Sequence, residues 1–140
     1  MPLLRCSLFL ALVLVSSCGL SASQNPPAKG DDAPRSRIAG VWRGHSECAV
    51  KNSPCHDEVN VYRFSRIAGR ENAFSVTAAK VVDGKEVVMG TSEWQFDEKT
   101  RIVECEKPSV QLAVHGDKME GALKLEDGTV YRRIYLKKES

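Results

Sequence analysis

Phe74-Ser75-Val76-Thr77-Ala78-Ala79 and Val88-Met89-Gly90-Thr91-Ser92-Glu93-Trp94-Gln95-Phe96, joined across Asp83-Gly84, decide the fold. In the first run Phe74, Val76 and Ala78 alternate with Ser75, Thr77 and Ala79. In the second, Val88, Gly90, Ser92, Trp94 and Phe96 form a stripe opposite Glu93 and Gln95. A period of two marks a half-buried strand, because successive side chains of an extended chain point to opposite faces. Asp-Gly supplies the two residues that accept positive φ at the centre of a two-residue turn. The stretch therefore predicts an antiparallel hairpin.

The same period runs through the rest of the chain from Ile38 onward. Ile38, Gly40, Trp42, Gly44 and Ser46 share one face, with Arg43, His45 and Glu47 on the other. Val110, Leu112 and Val114 form another stripe, and Met119, Gly121, Leu123 and Leu125 a further one. Asp127-Gly128 is a second hairpin signal, and Lys107-Pro108 breaks the chain. Eight strands are predicted, near 38–48, 58–67, 73–82, 86–96, 100–106, 109–115, 118–126 and 129–138. All links but the first are short, which favours antiparallel neighbours. Eight such strands with one apolar face leave no free edge if they close on themselves. The expected fold is all-β, an antiparallel up-and-down eight-stranded barrel over 38–140, with a two-sheet β-sandwich as the alternative.

The N-terminus carries a different message. Arg5 precedes the apolar run Leu8-Phe9-Leu10-Ala11-Leu12-Val13-Leu14-Val15, which ends at Ser16-Ser17-Cys18. A short positive head, a brief apolar core and small residues make an export signal over 1–17. The run is shorter than the roughly 20 apolar residues of a permanent span. Residues 18–37 are rich in Ser, Pro, Ala, Gly and charge, a composition expected to form a disordered tether. The formal net charge is only +2, and no basic run interleaves with aromatics, so nucleic-acid binding has no support.

Two resemblances refine this picture. Val15-Ser16-Ser17-Cys18 resembles the lipobox of bacterial lipoproteins, which implies cleavage before Cys18 and a lipid on its sulfur. The alternative is a cut after Ala22 or Ser23 that releases a soluble periplasmic or secreted protein. Gly19 after the cysteine implies, by the same resemblance, an outer-membrane destination facing the periplasm. Gly40-Val41-Trp42 is similar to the Gly-x-Trp motif that opens the first strand of lipocalins and other calycin barrels. In that superfamily an arginine of the last strand packs across the tryptophan, which implies Arg132 over Trp42 here. The chain is shorter than true lipocalins and lacks their C-terminal helix and Thr-Asp-centred motif.

In an exported protein, Cys48 and Cys55 are expected to form a disulfide that closes the long first loop. Cys105 is then a leftover thiol, buried on the face of Val103, with its pairing to Cys48 or Cys55 as the alternative. His45, Glu47, Cys48, Cys55, His56 and Asp57 are all metal-ligand types, but no spacing fits a known metal motif, so no metal and no cofactor is expected. His115, beside a Gly-Asp turn, reads as a solvated residue.

Strand two is unusual, with Val59 and Val61 on one face and Glu58, Asn60, Tyr62 and Phe64 on the other. If the aromatics face inward, Glu58 and Asn60 go with them, and a buried carboxylate needs a partner, for which Arg132 is the inward cation. Lys80 shares the Phe74-Val76-Ala78 face and is expected at the barrel mouth, where a lysine snorkels to solvent. The candidate ligand-binding set is Trp42, Glu58, Asn60, Tyr62, Trp94, Phe96, Met119 and Arg132, an aromatic cup with a few polar anchors. No catalytic constellation is present in the spacing. The expectation is a monomeric, non-enzymatic envelope barrel that binds a small apolar or amphipathic molecule. The alternatives are an inhibitor or other protein-binding module acting through the 48–55 loop, and a structural lipoprotein with no ligand.

Overall fold

The computed structural model describes residues 37–140. The expectations for the leader, for Cys18 and for the tether lie outside these residues. Eight strands follow one another: β1 (Gly40–Cys48), β2 (Glu58–Ile67), β3 (Arg70–Val82), β4 (Lys85–Asp97), β5 (Ile102–Cys105), β6 (Ser109–His115), β7 (Lys118–Lys124) and β8 (Val130–Lys138). Each pairs antiparallel with the next, and β1 pairs with β8 to close the barrel. This is the up-and-down barrel that the alternation predicts, and the sandwich alternative is set aside.

The interior is filled from alternate positions of every strand. Trp42, Phe64, Phe74, Val76, Phe96, Val103, Leu112, Val114, Met119, Ile134 and Leu136 pack together out of solvent. The aromatic rings meet edge to face, with Phe64 and Trp94 centroids 5.7 Å apart and Tyr62 and Trp94 5.8 Å apart. Two inward glycines allow the strands to crowd. A Cβ at Gly121 would lie 1.9 Å from the Gln111 carbonyl oxygen, and one at Gly44 would lie 1.8 Å from that of Tyr135.

One end of the barrel is shut. Ile38 was expected to begin the first strand, but the strand starts at Gly40 and Ile38 instead turns in as a fully buried plug. The indole Nε1 of Trp42 donates to the Ile38 carbonyl at 2.8 Å and holds the plug in place. The cation above Trp42 is not Arg132, as the calycin resemblance implied, but Lys138, whose Nζ lies 5.7 Å from the indole centroid. Register decides this, because β1 pairs Trp42 with Lys138 and Cys48 with Arg132, at opposite ends of the two strands. Gly40, at φ +126°, leaves room for the Lys138 stem, since a Cβ there would meet Lys138 Cε at 3.0 Å. Lys138 Nζ donates to the Arg37 carbonyl at 2.6 Å, and burial lowers its pKa.

A bulge shapes the other end. The β3–β4 register passes from Ala78 opposite Gly90 to Ala79 opposite Val88, leaving Met89 as the extra residue. Val88 was expected to continue the inward stripe of Gly90, Ser92 and Trp94; the bulge reverses the alternation and leaves it 64% exposed. On β2 the polar set faces inward, and of the two outward valines Val59 is exposed while Val61 is fully buried, as is its neighbour Ala79. Glu86 on β4 explains the difference. Its carboxylate meets Arg63 at 2.7 Å and Arg43 at 2.8 Å. Glu86 stands level with Val59 across the sheet, four residues from Arg63, or about 13 Å along a strand. The long Arg43 and Arg63 side chains reach Glu86 across the outer face, and Val61 lies between Arg43 and Ala79 in that same stretch.

Candidate functional site

The open end is bordered by the end of β1, the start of β2, the β3–β4 hairpin, the β5–β6 turn and the β7–β8 turn. Its floor is the packed aromatic layer, and its two sides differ in chemistry. The polar side comes from β1, β2, β3 and β8. Arg132 Nη1 donates to Ser46 Oγ at 3.1 Å and to the His56 carbonyl at 2.9 Å. Its Nη2 lies 3.5 Å from Glu58 Oε1, and Lys80 Nζ lies 3.7 Å from the same oxygen. His56 Nε2 is 3.9 Å from it. Both Glu58 and Arg132 are largely buried, so the carboxylate that the pattern carried inward has found its cation. Arg132 also lies 5.6 Å from the Tyr131 ring centroid.

Asn60 stands between Glu58 and Tyr62 on the inner face, opposite Gly44 and Lys80. It is 3% exposed, and its Oδ1 has no hydrogen-bond partner among the described residues. A buried amide oxygen left unpaired costs about 1–3 kcal/mol, so such atoms are uncommon in folded proteins.

The apolar side is a cavity of about 290 Å³ lined by Tyr62, Ala78, Trp94, Pro108, Val110 and Leu123, with Gly90, Thr91, Ser92, Met89 and Lys107 at its border. Such a volume is equivalent to about ten liquid waters, or one small molecule. Trp94 Nε1 donates to Ser92 Oγ at 2.9 Å, so the indole is oriented and its polar edge satisfied. Cys105 is free and buried; its Sγ lies 3.3 Å from the Lys107 carbonyl and 3.6 Å from Ser92 Oγ. Tyr62 joins the two sides. Burial pushes its phenol up to about 12, with Arg132 opposing the shift and Glu58 and Cys105 adding to it. The phenol is therefore a neutral donor at any ordinary pH.

The first loop forms the rim next to the polar side. Cys48 and Cys55 are bonded, with Cα atoms 6.0 Å apart, the pairing expected from the sequence. Asp57 Oδ1 accepts from the Cys48 amide at 2.8 Å, and Arg132 holds His56 from within.

Of the eight candidate residues, the structure brings Glu58, Asn60, Tyr62, Trp94 and Arg132 to the mouth. Tyr62 and Trp94 line the apolar cavity, Glu58, Asn60 and Arg132 lie on the polar side outside its lining, and Trp42, Phe96 and Met119 belong to the packed lower layer. Lys80 lies at the mouth as expected, its side chain 34% exposed and its Nζ toward Glu58. In the sequence Ala78, Val110, Leu123 and Ser46 are members of alternating stripes, with nothing local that marks them for the mouth. Their place at the mouth depends on how far the inner packing rises, which alternation does not record. Among the described residues, no group of three His, Cys, Asp or Glu is arranged to hold a metal. Compared with known proteins, the chain matches no family model, no curated protein and no solved structure.

Proposed function

We propose that this barrel is a non-enzymatic binding protein of the cell envelope that takes a small amphipathic molecule in its open end. The observation that carries the reading is the apolar cavity of about 290 Å³ at the open end, lined by Tyr62, Trp94, Val110 and Leu123, with the buried, unpartnered Asn60 Oδ1 two residues from Tyr62 on the same face of β2. Small-molecule sites combine an apolar lining with a few placed polar groups, and this mouth has that composition. The apolar part of the ligand would lie on Trp94, Val110 and Leu123. Its polar end would accept from the neutral Tyr62 phenol, the polar group of β2 that lines the cavity. The calycin resemblance of Gly40-Val41-Trp42 supports a calyx used in this manner, and the lipobox supports a lipid anchor at Cys18 facing the periplasm. A loop closed by Cys48–Cys55 and held by Asp57 and Arg132 lends some support to the alternative of a protein-binding rim.

The test is native mass spectrometry of the exported chain after exposure to an envelope lipid extract. One retained small adduct is expected, absent from Leu123→Trp, which fills the cavity, and weakened about tenfold in Tyr62→Phe. A bare barrel in every extract would refute the reading. Palmitate labelling that disappears in Cys18→Ala tests the anchor separately.

A further inference from the structure

The barrel wall is incomplete on one side of the mouth. β4 pairs with β5 only through Gln95, Phe96 and Asp97, opposite Glu104, Val103 and Ile102. The next pair in that ladder would be Trp94 with Cys105, but β5 ends there and the chain turns through 106–108 into β6. From Trp94 up to Lys85 the far edge of β4 has no strand partner among the described residues, while its other edge stays paired with β3. That edge is about 30 Å long at strand rise. Lys85 to Thr91 are all exposed, among them Val87, Val88 and Met89. A long apolar edge is a template for another strand.

The two sides of the notch differ in a way that selects its occupant. Inward lies the apolar mouth cavity, bordered by Gly90, Thr91, Ser92, Lys107 and Pro108. Outward lies a second hollow of about 490 Å³, lined by Glu93, Gln95, Glu104, Glu106, Ser109 and Gln111. Arg70 meets Glu93 at 2.6 Å, and Gln111 donates to Glu104 at 2.9 Å, so the carboxylates of this hollow are only partly compensated. A strand laid in the notch would send alternate side chains to these two sides.

We infer that the free edge of β4 is a strand-docking site for an extended segment of a protein partner in which apolar side chains alternate with basic ones. The apolar residues enter the mouth between Pro108 and Thr91, and the lysines or arginines face Glu93, Glu104 and Glu106. Main-chain hydrogen bonds to β4 supply affinity, and the alternation supplies specificity, as in other cases of strand addition. This site rests on the missing β4–β5 pairing and on charge, and it stands whether or not a small molecule binds in the mouth.

The test uses the exported chain and three blocked synthetic heptapeptides. One alternates Lys and Val, the second replaces Lys by Glu, and the third has the composition of the first in blocks. The Lys/Val peptide is expected to bind, to slow hydrogen exchange at β4 amides between Val87 and Glu93, and to shift Trp94 emission. The other two should bind at least tenfold more weakly. Glu104→Lys with Glu106→Lys, on the exposed surface, should abolish the preference for basic over acidic peptide without altering the melting temperature. Equal binding of all three peptides, or protection that appears elsewhere than on β4, overturns the inference. So does a concentration-dependent dimer protected at the same amides, because the edge would then be occupied by a second copy.

Discussion

Replacing Arg132 by Met tests whether one inward guanidinium organises the mouth. Its Nη1 makes two hydrogen bonds, to Ser46 Oγ at 3.1 Å and the His56 carbonyl at 2.9 Å. Bonds to a charged donor contribute about 1.5–3 kcal/mol each, and at this partly wet rim the lower value applies, so their loss costs about 3 kcal/mol. Met retains most of the stem packing. Glu58 is left with Lys80 at 3.7 Å and His56 at 3.9 Å, too far for hydrogen bonds. Glu58→Gln alone keeps both Arg132 bonds and removes the ion pairs with Arg132 and Lys80, at a cost of about 1 kcal/mol. The double variant no longer leaves a carboxylate short of its cation, so it should be about 1 kcal/mol more stable than the two single losses predict. The assay is urea and thermal unfolding followed by the emission of Trp42 and Trp94, the two tryptophans of the chain. Since each kcal/mol is worth about 4–8 °C in a domain of this size, Arg132→Met should lower Tm by roughly 10 °C or more. Single variants whose losses simply add, or an Arg132→Met loss below about 0.5 kcal/mol, would show that the cluster is a set of independent surface contacts.

Lys138→Met removes the cation over Trp42 and the bond to the Arg37 carbonyl; a loss of about 1–2 kcal/mol and a shifted Trp42 emission are expected, and Arg132→Met should leave that emission unmoved. Gly121→Ala sets a methyl against the Gln111 carbonyl, a backbone atom that cannot swing away, so a loss of about 3 kcal/mol is expected in urea unfolding; an unchanged midpoint would mean that β6 and β7 can separate freely. Absorbance titration should show one of the three tyrosines ionising near pH 12, and Tyr62→Phe should remove that late step. Because the folded phenol holds its proton above the unfolded value of 10, its contribution to stability is complete below pH 10 and is lost as pH rises through 12.

Alternation is local information, and it carried much of the fold. Phe74-Val76-Ala78, Val110-Leu112-Val114 and the Asp83-Gly84 turn each act through a few neighbouring residues, so strands and hairpins were legible without a partner in view. The inward turn of Glu58 and Asn60 was legible too, since Tyr62 and Phe64 share their face. The bulge at Met89 was not, because it arises from how β4 bends against β3 and carries no residue signature of its own. Nor was the exchange of Lys138 for Arg132 above Trp42, because both cations lie on the inner face of β8 and only its register against β1 separates them.

The amino-acid sequence by itself determined the strand periods, the closing disulfide and the faces of most strands. These depend on composition and on side-chain direction along one segment. Tertiary structure alone decided which end is shut, where the core stops rising and leaves a cavity, that Asn60 Oδ1 has no partner, and that β5 ends too soon to cover β4. Each of those depends on how far one strand slides against another, and chain closure sets that offset through all eight strands at once.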